Sequence, residues 1–250
     1  MQNTKVVIIT GGGRGIGAAT AKLFAQQGYA VCINYKSNEK AASLLADEIQ
    51  DAGGQCITVQ ADVSQEVDVL RLFATVDNEL GTVSVLVNNA GILFQQMRLE
   101  EMTAERINTV LSNNVTSYFL CSREAVKRMS THRGGNGGVI VNVSSGAARS
   151  GSPNEYIDYA ASKGAIDTLT KGLAMEVASE GIRVNCVRPG LIYTQMHADG
   201  GEPERIERLK SVIPLQRGGE PQEVAEAIFW LASDKSTFST ANYIDVTGGL

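Results

Sequence analysis

Tyr159 and Lys163 are the two side chains of this sequence whose types and spacing best suit proton transfer. The composition predicts a helix over residues 160–178, and side chains four apart on a helix share one face. A tyrosine with its ordinary pKa of about 10 is a poor proton relay at neutral pH, but a nearby ammonium favours the phenolate and lowers that pKa. Lowering it by about two or three units requires roughly 3–4 kcal/mol from the site. A tyrosine tuned in this way can protonate a carbonyl oxygen while hydride reaches the carbon, or deprotonate an alcohol in reverse. In isolation, the pair would more simply be two surface residues.

A glycine-rich segment, Thr-Gly-Gly-Gly-Arg-Gly-Ile-Gly at residues 10–17, separates the first apolar run from the first helix-like stretch. Glycines at this place permit a tight turn and let backbone N–H groups approach a pyrophosphate at the N-terminus of a helix. The alternative is a glycine-rich turn without a ligand, but the position between strand and helix favours dinucleotide binding. The expected contacts in this turn are Gly11, Gly13, Arg14, Gly15, Ile16 and Gly17.

The end of the second predicted strand carries no carboxylate. Residues 33–37 read Ile-Asn-Tyr-Lys-Ser, whereas an acid about 20 residues after the turn would hold the ribose 2′-hydroxyl of NAD. Without that acid, repulsion against a 2′-phosphate is lost, and Arg14 with Lys36 or Ser37 could contact the phosphate. We therefore expect NADP(H), with NAD as the alternative; the basic residues could also be solvated surface charges. The expected contacts at this strand end are Asn34, Tyr35, Lys36 and Ser37.

The elements that must position these residues alternate along the whole chain. Apolar runs predict strands at residues 6–9, 30–35, 56–60, 83–87, 139–143, 183–187 and 243–246. Helices are predicted at residues 18–27, 40–52, 67–79, 110–129, 160–178 and 223–232. Nearly pure apolar strands alternating with helices indicate a parallel sheet covered on both faces. We expect a single-domain, doubly wound α/β fold of Rossmann type with seven parallel strands over residues 1–250.

Two stretches are predicted to be long loops. Residues 131–138 are polar and glycine-rich, and residues 194–217 contain glycines and prolines around a short helical piece at 204–210. The second stretch is expected to form a lid over the substrate. Beside it, the expected lining of the substrate pocket is Ala147, Arg149, Ser152, Pro153 and Tyr156.

The composition excludes several other classes of function. The net charge is −5, so no nucleic-acid partner is expected. The four cysteines include no Cys-x-x-Cys pair, and His132 and His197 lie apart in loop-like segments, so no metal site is expected. No apolar run approaches the about 18 residues of a membrane span, and no signal-peptide pattern is found. These features together predict a cytoplasmic protein.

Seven short motifs occur in an order and spacing similar to those of classical short-chain dehydrogenases/reductases. The resemblance covers essentially the whole chain and is greatest to bacterial members in the branch that holds 3-oxoacyl-carrier-protein reductases and glucose 1-dehydrogenases. The motifs are Thr10-Gly-x-x-x-Gly-x-Gly17, Asp62-Val63, Asn88-Asn-Ala-Gly91, Asn114, Ser144-Ser145, Tyr159-Ala-Ala-Ser-Lys163 and Pro189-Gly190.

The resemblance implies two catalytic residues besides Tyr159 and Lys163. Ser145, rather than Ser144, would hold the substrate oxygen, and the end of a strand is where open α/β sheets place ligands. Asn114 would sit in a helix and anchor a water relay to the lysine; a helix asparagine bonded to its own backbone is the alternative.

The resemblance also implies the remaining cofactor contacts. Asp62 would accept a hydrogen bond from the adenine amino group, with Val63 beside it, while Ile192 and Thr194 would meet the nicotinamide carboxamide. Asn88 could instead be structural. The full set implied beyond the glycine-rich turn is Asp62, Val63, Asn89, Ala90, Gly91, Tyr159, Lys163, Pro189, Gly190, Ile192 and Thr194.

The favoured function is hydride transfer between NADP(H) and a small carbonyl or alcohol. A sugar dehydrogenase and a 3-oxoacyl reductase are the alternatives among enzymes. Met175 occupies the position where carrier-protein reductases tend to have a basic residue, which weakens the second of them. A nucleotide-binding regulator without activity would not need the catalytic set.

A homotetramer is expected, because two long predicted helices carry more small and apolar groups than solvated faces need. An isologous contact between subunits would use these faces, and residues 243–250 would supply a second contact. The expected outer-face residues are Ala125, Met129, Ala161, Ala165, Thr168, Leu169 and Gly172.

Overall fold

The computed structural model describes residues 4–250, and its centre is a parallel sheet of seven strands in the order β3-β2-β1-β4-β5-β6-β7. This confirms the predicted doubly wound α/β architecture. The strands are β1 Val6–Ile9, β2 Ala30–Tyr35, β3 Cys56–Gln60, β4 Val83–Asn88, β5 Gly138–Val143, β6 Ile182–Pro189 and β7 Tyr243–Val246.

Helices cover both faces of this sheet. The six longer α-helices are α1 Gly15–Gln26, α2 Glu39–Asp51, α3 Glu66–Glu79, α5 Ser117–Met129, α7 Ile157–Val177 and α10 Pro221–Ala232. The shorter ones are α4 Ala104–Leu111, α6 Ala147–Ser150, α8 Met196–Asp199 and α9 Arg205–Leu209.

The central strands are mostly apolar because both of their faces are covered. In β1, Val7 and Ile9 belong to the same core cluster as Phe24 of α1. The intervening Ile8 belongs to the opposite cluster, with Leu72 of α3. Alternate side chains of a strand point to opposite faces, so a strand inside this sheet has no position for an exposed polar residue.

The strand order reverses between β1 and β4. From β1 the chain builds β2 and β3 on one side, then returns to place β4 on the other side of β1. The loops that leave the carboxyl ends of β1 and β4 therefore diverge, and the crevice between them is where sheets of this kind bind ligands.

The predicted helix at 110–129 is longer and less regular than expected. It begins at Ala104 and contains a π-helical segment, Ser112–Thr116, between α4 and α5. The outer-face expectation for its last turns was wrong: Ala125 and Met129 are fully buried in the core. The helix phase that places Cys121 against the sheet also turns these two residues inward.

Residues 194–217 contain more helix than the sequence indicated. The short helical piece predicted at 204–210 is α9, and α8 precedes it, so the segment predicted to be a lid contains two short α-helices. Across residues 4–250, none of the helices is long and apolar enough to cross a membrane.

Candidate functional site

The glycine-rich turn joins β1 to α1 at the reversal point of the sheet. Gly11 and Gly15 have φ values of +60° and +53°, which favour glycine. A Cβ on Gly17 would lie 2.5 Å from the carbonyl oxygen of Gly11, so only glycine permits this packing of helix on turn. The turn thus brings the first backbone N–H groups of α1 to the crevice, where a pyrophosphate would bind.

The Asn34 side chain holds this turn from beneath. Its Oδ1 accepts from the Gly11 N–H at 3.3 Å, and its Nδ2 donates to the carbonyl oxygens of Val59 and Ala61 at 3.3 and 3.0 Å. The side chain is 2% exposed. The Asn34 amide is thus committed to neighbouring backbone, and the expectation that Asn34 contacts the cofactor stays a prediction.

A cavity of about 420 Å³ opens at the carboxyl ends of β1, β2, β3 and β4. Most of the cofactor contacts expected from the sequence line it: Gly11, Gly13, Arg14, Gly15, Ile16, Asn34, Tyr35, Lys36, Ser37, Asp62, Val63, Asn89, Ala90, Gly91 and Thr194. The expected set does not lie there in full: Gly17 packs beneath the turn, Ile192 and Lys163 are buried, and Tyr159, Pro189 and Gly190 line a neighbouring cavity. Lining residues that the sequence analysis missed include Asn38, Ala41, Asn113 and Met196.

Lys36 and Arg14 are the basic residues that line this cavity. Lys36 donates to Asp62 at 2.8 Å and to Asn113 Oδ1 at 3.4 Å. Arg14 reaches the lid, where its Nη2 lies 2.6 Å from Asp199 Oδ2. Burial acts to raise the pKa of Asp62, but hydrogen bonds from Lys36 and Ser64 outweigh it and lower the pKa overall.

Lys163 is buried beside Tyr159 on α7. Its Nζ donates to the carbonyl oxygen of Val143 at 2.8 Å and to the hydroxyl of Tyr118 at 3.2 Å. The same Nζ lies 5.6 Å from the centre of the Tyr159 ring. The tyrosine and lysine therefore share a face of α7, as their spacing predicted, but the face is buried rather than exposed.

Burial dominates the acidity of both groups. It raises the pKa of Tyr159 to about 12, against a smaller lowering by the hydrogen bond with Ser145. It lowers the pKa of Lys163 to about 8. The expectation of a lowered tyrosine pKa is therefore wrong for the protein chain alone: Lys163 donates to Val143 and Tyr118, and the surroundings of Tyr159 disfavour the phenolate.

Asn114 lies in the π-helical segment and is fully buried. Its Oδ1 accepts from the Ile92 N–H at 2.8 Å, and its Nδ2 donates to the Ile92 carbonyl at 2.9 Å and to Ser162 Oγ at 3.1 Å. A Cβ on Gly91 would lie 3.5 Å from both Asn114 Oδ1 and Lys163 Nζ. The asparagine therefore fixes the chain after β4, and a Cβ at position 91 would be in van der Waals contact with both Asn114 and Lys163.

The two serines after β5 have different surroundings. Ser144 is 2% exposed and donates to the Lys163 carbonyl at 3.0 Å. Ser145 lines the neighbouring cavity, and its Oγ accepts from the Ala147 N–H at 3.1 Å. Of the two, Ser145 is the one whose hydroxyl a substrate could reach.

The neighbouring cavity measures about 580 Å³ and contains Tyr159 as well as Ser145. Met196 lines both cavities, so they adjoin at the lid. Pro153 does not line it, whereas His197, expected to be only a loop residue, does so from α8. The remaining lining residues are Leu93, Gly146, Ala147, Arg149, Ser150, Ser152, Tyr156, Pro189, Gly190, Leu191, Arg205, Leu209, Val212, Thr247 and Leu250.

A glycine-rich turn at the reversal point of a parallel sheet, with a tyrosine and a buried lysine beside it, defines a dinucleotide-dependent oxidoreductase. The residues present fit a nicotinamide dinucleotide, because Gly11, Gly13, Gly15 and Gly91 line the crevice and their lack of side chains lets a pyrophosphate approach the backbone closely.

Comparisons with known proteins specify the family. A family model described as enoyl-(acyl carrier protein) reductase matches residues 11–250. The chain is 60% identical over 244 residues to YgfF, an uncharacterized oxidoreductase of Escherichia coli K12, covering 98% of this chain and 99% of that protein. It is 35% identical over 250 residues to a 3-oxoacyl-(acyl-carrier-protein) reductase of Staphylococcus aureus, covering 100% and 99%. A short-chain type dehydrogenase/reductase structure from Mycobacterium marinum superposes with a TM-score of 0.92 at 32% identity, covering 98% of this chain and 94% of that one. The chain belongs to the short-chain dehydrogenase/reductase family and is an oxidoreductase of that family.

Proposed function

We propose that this enzyme transfers a hydride between NADP(H) and a small carbonyl or alcohol, with Tyr159 as the general acid and base. The observation that carries the proposal is the position of Tyr159. Its side chain lies with Ser145 in the cavity that adjoins the dinucleotide crevice, and Lys163 is buried behind it. A proton donor is thus available beside the place where a nicotinamide ring would reach.

The bound cofactor would supply the hydride, and the chain supplies the proton and the orientation. Ser145 Oγ–H donates to the substrate oxygen and fixes the carbonyl near Tyr159. A pKa raised by burial keeps the Tyr159 hydroxyl protonated at neutral pH, which is the form that reduction needs. As the tyrosine gives up its proton, the ammonium of Lys163 favours the phenolate that remains.

Replacing Tyr159 with phenylalanine tests the role of its hydroxyl. We expect Tyr159→Phe to abolish turnover while cofactor affinity stays within about threefold, because the ring has no part in holding a pyrophosphate. Tyr156→Phe is the matched control, since Tyr156 lines the same cavity and donates at 3.5 Å only to the Gly200 carbonyl. Activity of Tyr159→Phe within about tenfold of the wild type would remove the hydroxyl from the mechanism.

Preference for NADP(H) over NAD(H) is proposed from the charges at the crevice. Lys36 and Arg14 line it, and no carboxylate occupies residues 33–37. We expect Lys36→Ala to lower kcat/KM for NADPH about tenfold, as for the loss of one phosphate contact, with little effect on NADH. The control is Lys22→Ala, which removes a half-buried lysine that pairs with Glu48 at 2.5 Å and does not line the crevice. Equal or better use of NADH by the wild type would refute the preference.

Reduction of 3-oxoacyl thioesters is the second candidate, favoured by the relative of that name in Staphylococcus aureus. Met175, at the position where a basic residue was expected for a carrier protein, is 69% exposed and apolar, which weighs against docking of an acidic carrier at this helix.

The four cysteines are buried and free. Such thiols fit a reducing compartment, and we propose that the enzyme acts in the cytoplasm.

A further inference from the structure

The charged side chains on the wall of the substrate cavity are already paired with carboxylates. Arg149 Nη1 lies 2.6 Å from Asp245 Oδ2. Arg205 donates to Glu155 at 2.5 Å and to Glu202 at 2.8 Å, and it is almost fully buried. The guanidinium of Arg205 is left with no open side, whereas Arg149, whose side chain is 59% exposed, shares its charge between Asp245 and solvent.

His197 does not supply a free positive charge either. Its Nε2 lies 3.0 Å from the Ile192 carbonyl oxygen, so the proton of the ring is committed to that backbone acceptor. Burial also lowers the pKa of His197. The ring is therefore neutral at neutral pH and presents no cation to the cavity.

Apolar side chains make up most of the remaining wall of this cavity. They come from the segment after β4, from the lid and from the end of the chain, and they surround a space within the range of small-molecule sites. These residues are Leu93, Met196, Leu209, Val212 and Leu250. A substrate with an apolar substituent would bury it against them, at about 25 cal/mol for each Å² removed from water.

From this pairing we infer that the substrate is an uncharged aldehyde or ketone with a bulky apolar substituent, rather than a keto acid. The inference rests on the proposed function. A substrate carboxylate would have to compete with Asp245 and water for Arg149, or displace Glu155 and Glu202 from Arg205. Otherwise it would be buried without a partner, which is costly for a charged group.

A matched pair of substrates tests the inference. Ethyl benzoylformate and benzoylformate share the reacting ketone and the phenyl group, and they differ in the charge of the carboxyl end. We expect kcat/KM with NADPH to favour the ester by about a hundredfold, equivalent to roughly 3 kcal/mol. Equal or better use of the acid would overturn the inference while leaving the oxidoreductase function intact. No turnover of the ester, the acid or a panel of simple aldehydes would instead overturn the proposed function on which it rests.

The variant Asp245→Asn tests the physical cause. Removing this carboxylate frees Arg149, while Arg188 keeps Asp167 at 2.8 Å, so the fold is expected to hold. The ratio of kcat/KM for the acid to that for the ester should rise about tenfold. Asp234→Asn is the control, because Asp234 pairs with Lys5 at 3.0 Å, and neither residue lines the cavity. An unchanged ratio in a folded Asp245→Asn enzyme would show that the ion pair does not exclude acids.

Discussion

Lys163 is a buried cation that donates to neutral oxygens, and this has a consequence for stability. Its ordinary pKa of 10.5 falls to about 8 in the folded protein because burial disfavours the ammonium. Between these two values the unfolded chain binds more protons than the folded one, so the free energy of unfolding rises with pH in this window. Below the folded pKa the cost of burying the charge is constant, at about 3 kcal/mol.

The variant Lys163→Met removes the cost of burying this ammonium and therefore allows the cost to be measured. We expect the difference in unfolding free energy, variant minus wild type, to shrink by about 2–3 kcal/mol between pH 7 and pH 10. Urea denaturation at the two pH values measures it, and the subtraction cancels the titration of other groups. Lys171→Met, which removes an exposed lysine of the same helix, is the control. The same difference at both pH values would contradict the conclusion that burial lowers the pKa of Lys163.

At the scale of elements, the lid is tied to the cofactor turn by one ion pair. Arg14 of the turn and Asp199 at the end of α8 lie 2.6 Å apart, and both are about half exposed. A 2′-phosphate at the crevice would compete with Asp199 for the same guanidinium. Binding of NADPH would then loosen one contact that holds α8 over the crevice.

We expect Asp199→Asn to tighten NADPH binding by up to about fivefold, since an exposed ion pair contributes at most about 1 kcal/mol. Binding of NADH should not change, because it lacks the phosphate. Calorimetric titration of each cofactor measures both effects. Glu204→Gln, which neutralises an exposed carboxylate elsewhere in the lid, gives the control. Equal tightening of both cofactors would show that the pair does not respond to the 2′-phosphate.

The elements themselves could be predicted because continuous apolar runs alternate with helix-like stretches along the chain. Strands such as β1 are pure apolar runs, and the glycine-rich turn stands out between such a run and a helix. The π-helical segment could not be predicted, because one extra residue per turn leaves the composition helical. It nevertheless sets the direction of Asn114.

The sequence predicted which residues form the site more completely than it predicted what each of them does. Asn34 was expected to contact the cofactor because it occupies the place of the NAD-specific acid; it lines the crevice, but its amide hydrogen-bonds to neighbouring backbone, which the sequence does not show. The acidity of Tyr159 was predicted in the wrong direction, because a sequence shows that a lysine is near but not how deeply the phenol is buried. His197 lies within the segment expected to cover the substrate, but it was interpreted only as a loop residue because the sequence does not show which side chains of that segment face the cavity.

At the scale of the whole molecule, the strands of the sheet run from Val6 to Val246. The prediction of one domain over residues 1–250 is consistent with this continuity and stays a prediction, as does the lid role of residues 194–217. The ends of β1, β2, β4, β5 and β6 all contribute to the two cavities. Function is therefore concentrated at one end of the sheet, which leaves the outer helix faces available for other contacts.

The outer face of α7 remains the basis for the predicted homotetramer, without the buried Ala125 and Met129. Ala161, Thr168 and Gly172 are exposed on it. A Cβ at Gly172 would meet open space. Phe119 of α5 and Met175 of α7 are 52% and 69% exposed. Small residues that allow close approach, flanked by large apolar ones, suit an isologous helix contact.

Light scattering at micromolar concentration should therefore report four times the subunit mass of 26.6 kDa. We expect Gly172→Glu to reduce the mass to that of a dimer, because a two-fold axis would bring two added charges together in an apolar contact, while the contact at residues 243–250 remains. Leu44→Glu, which places the same charge on the exposed face of α2, should leave the tetramer intact. A wild-type monomer would defeat the prediction, and a wild-type dimer unaffected by Gly172→Glu would assign the dimer contact to the other surface.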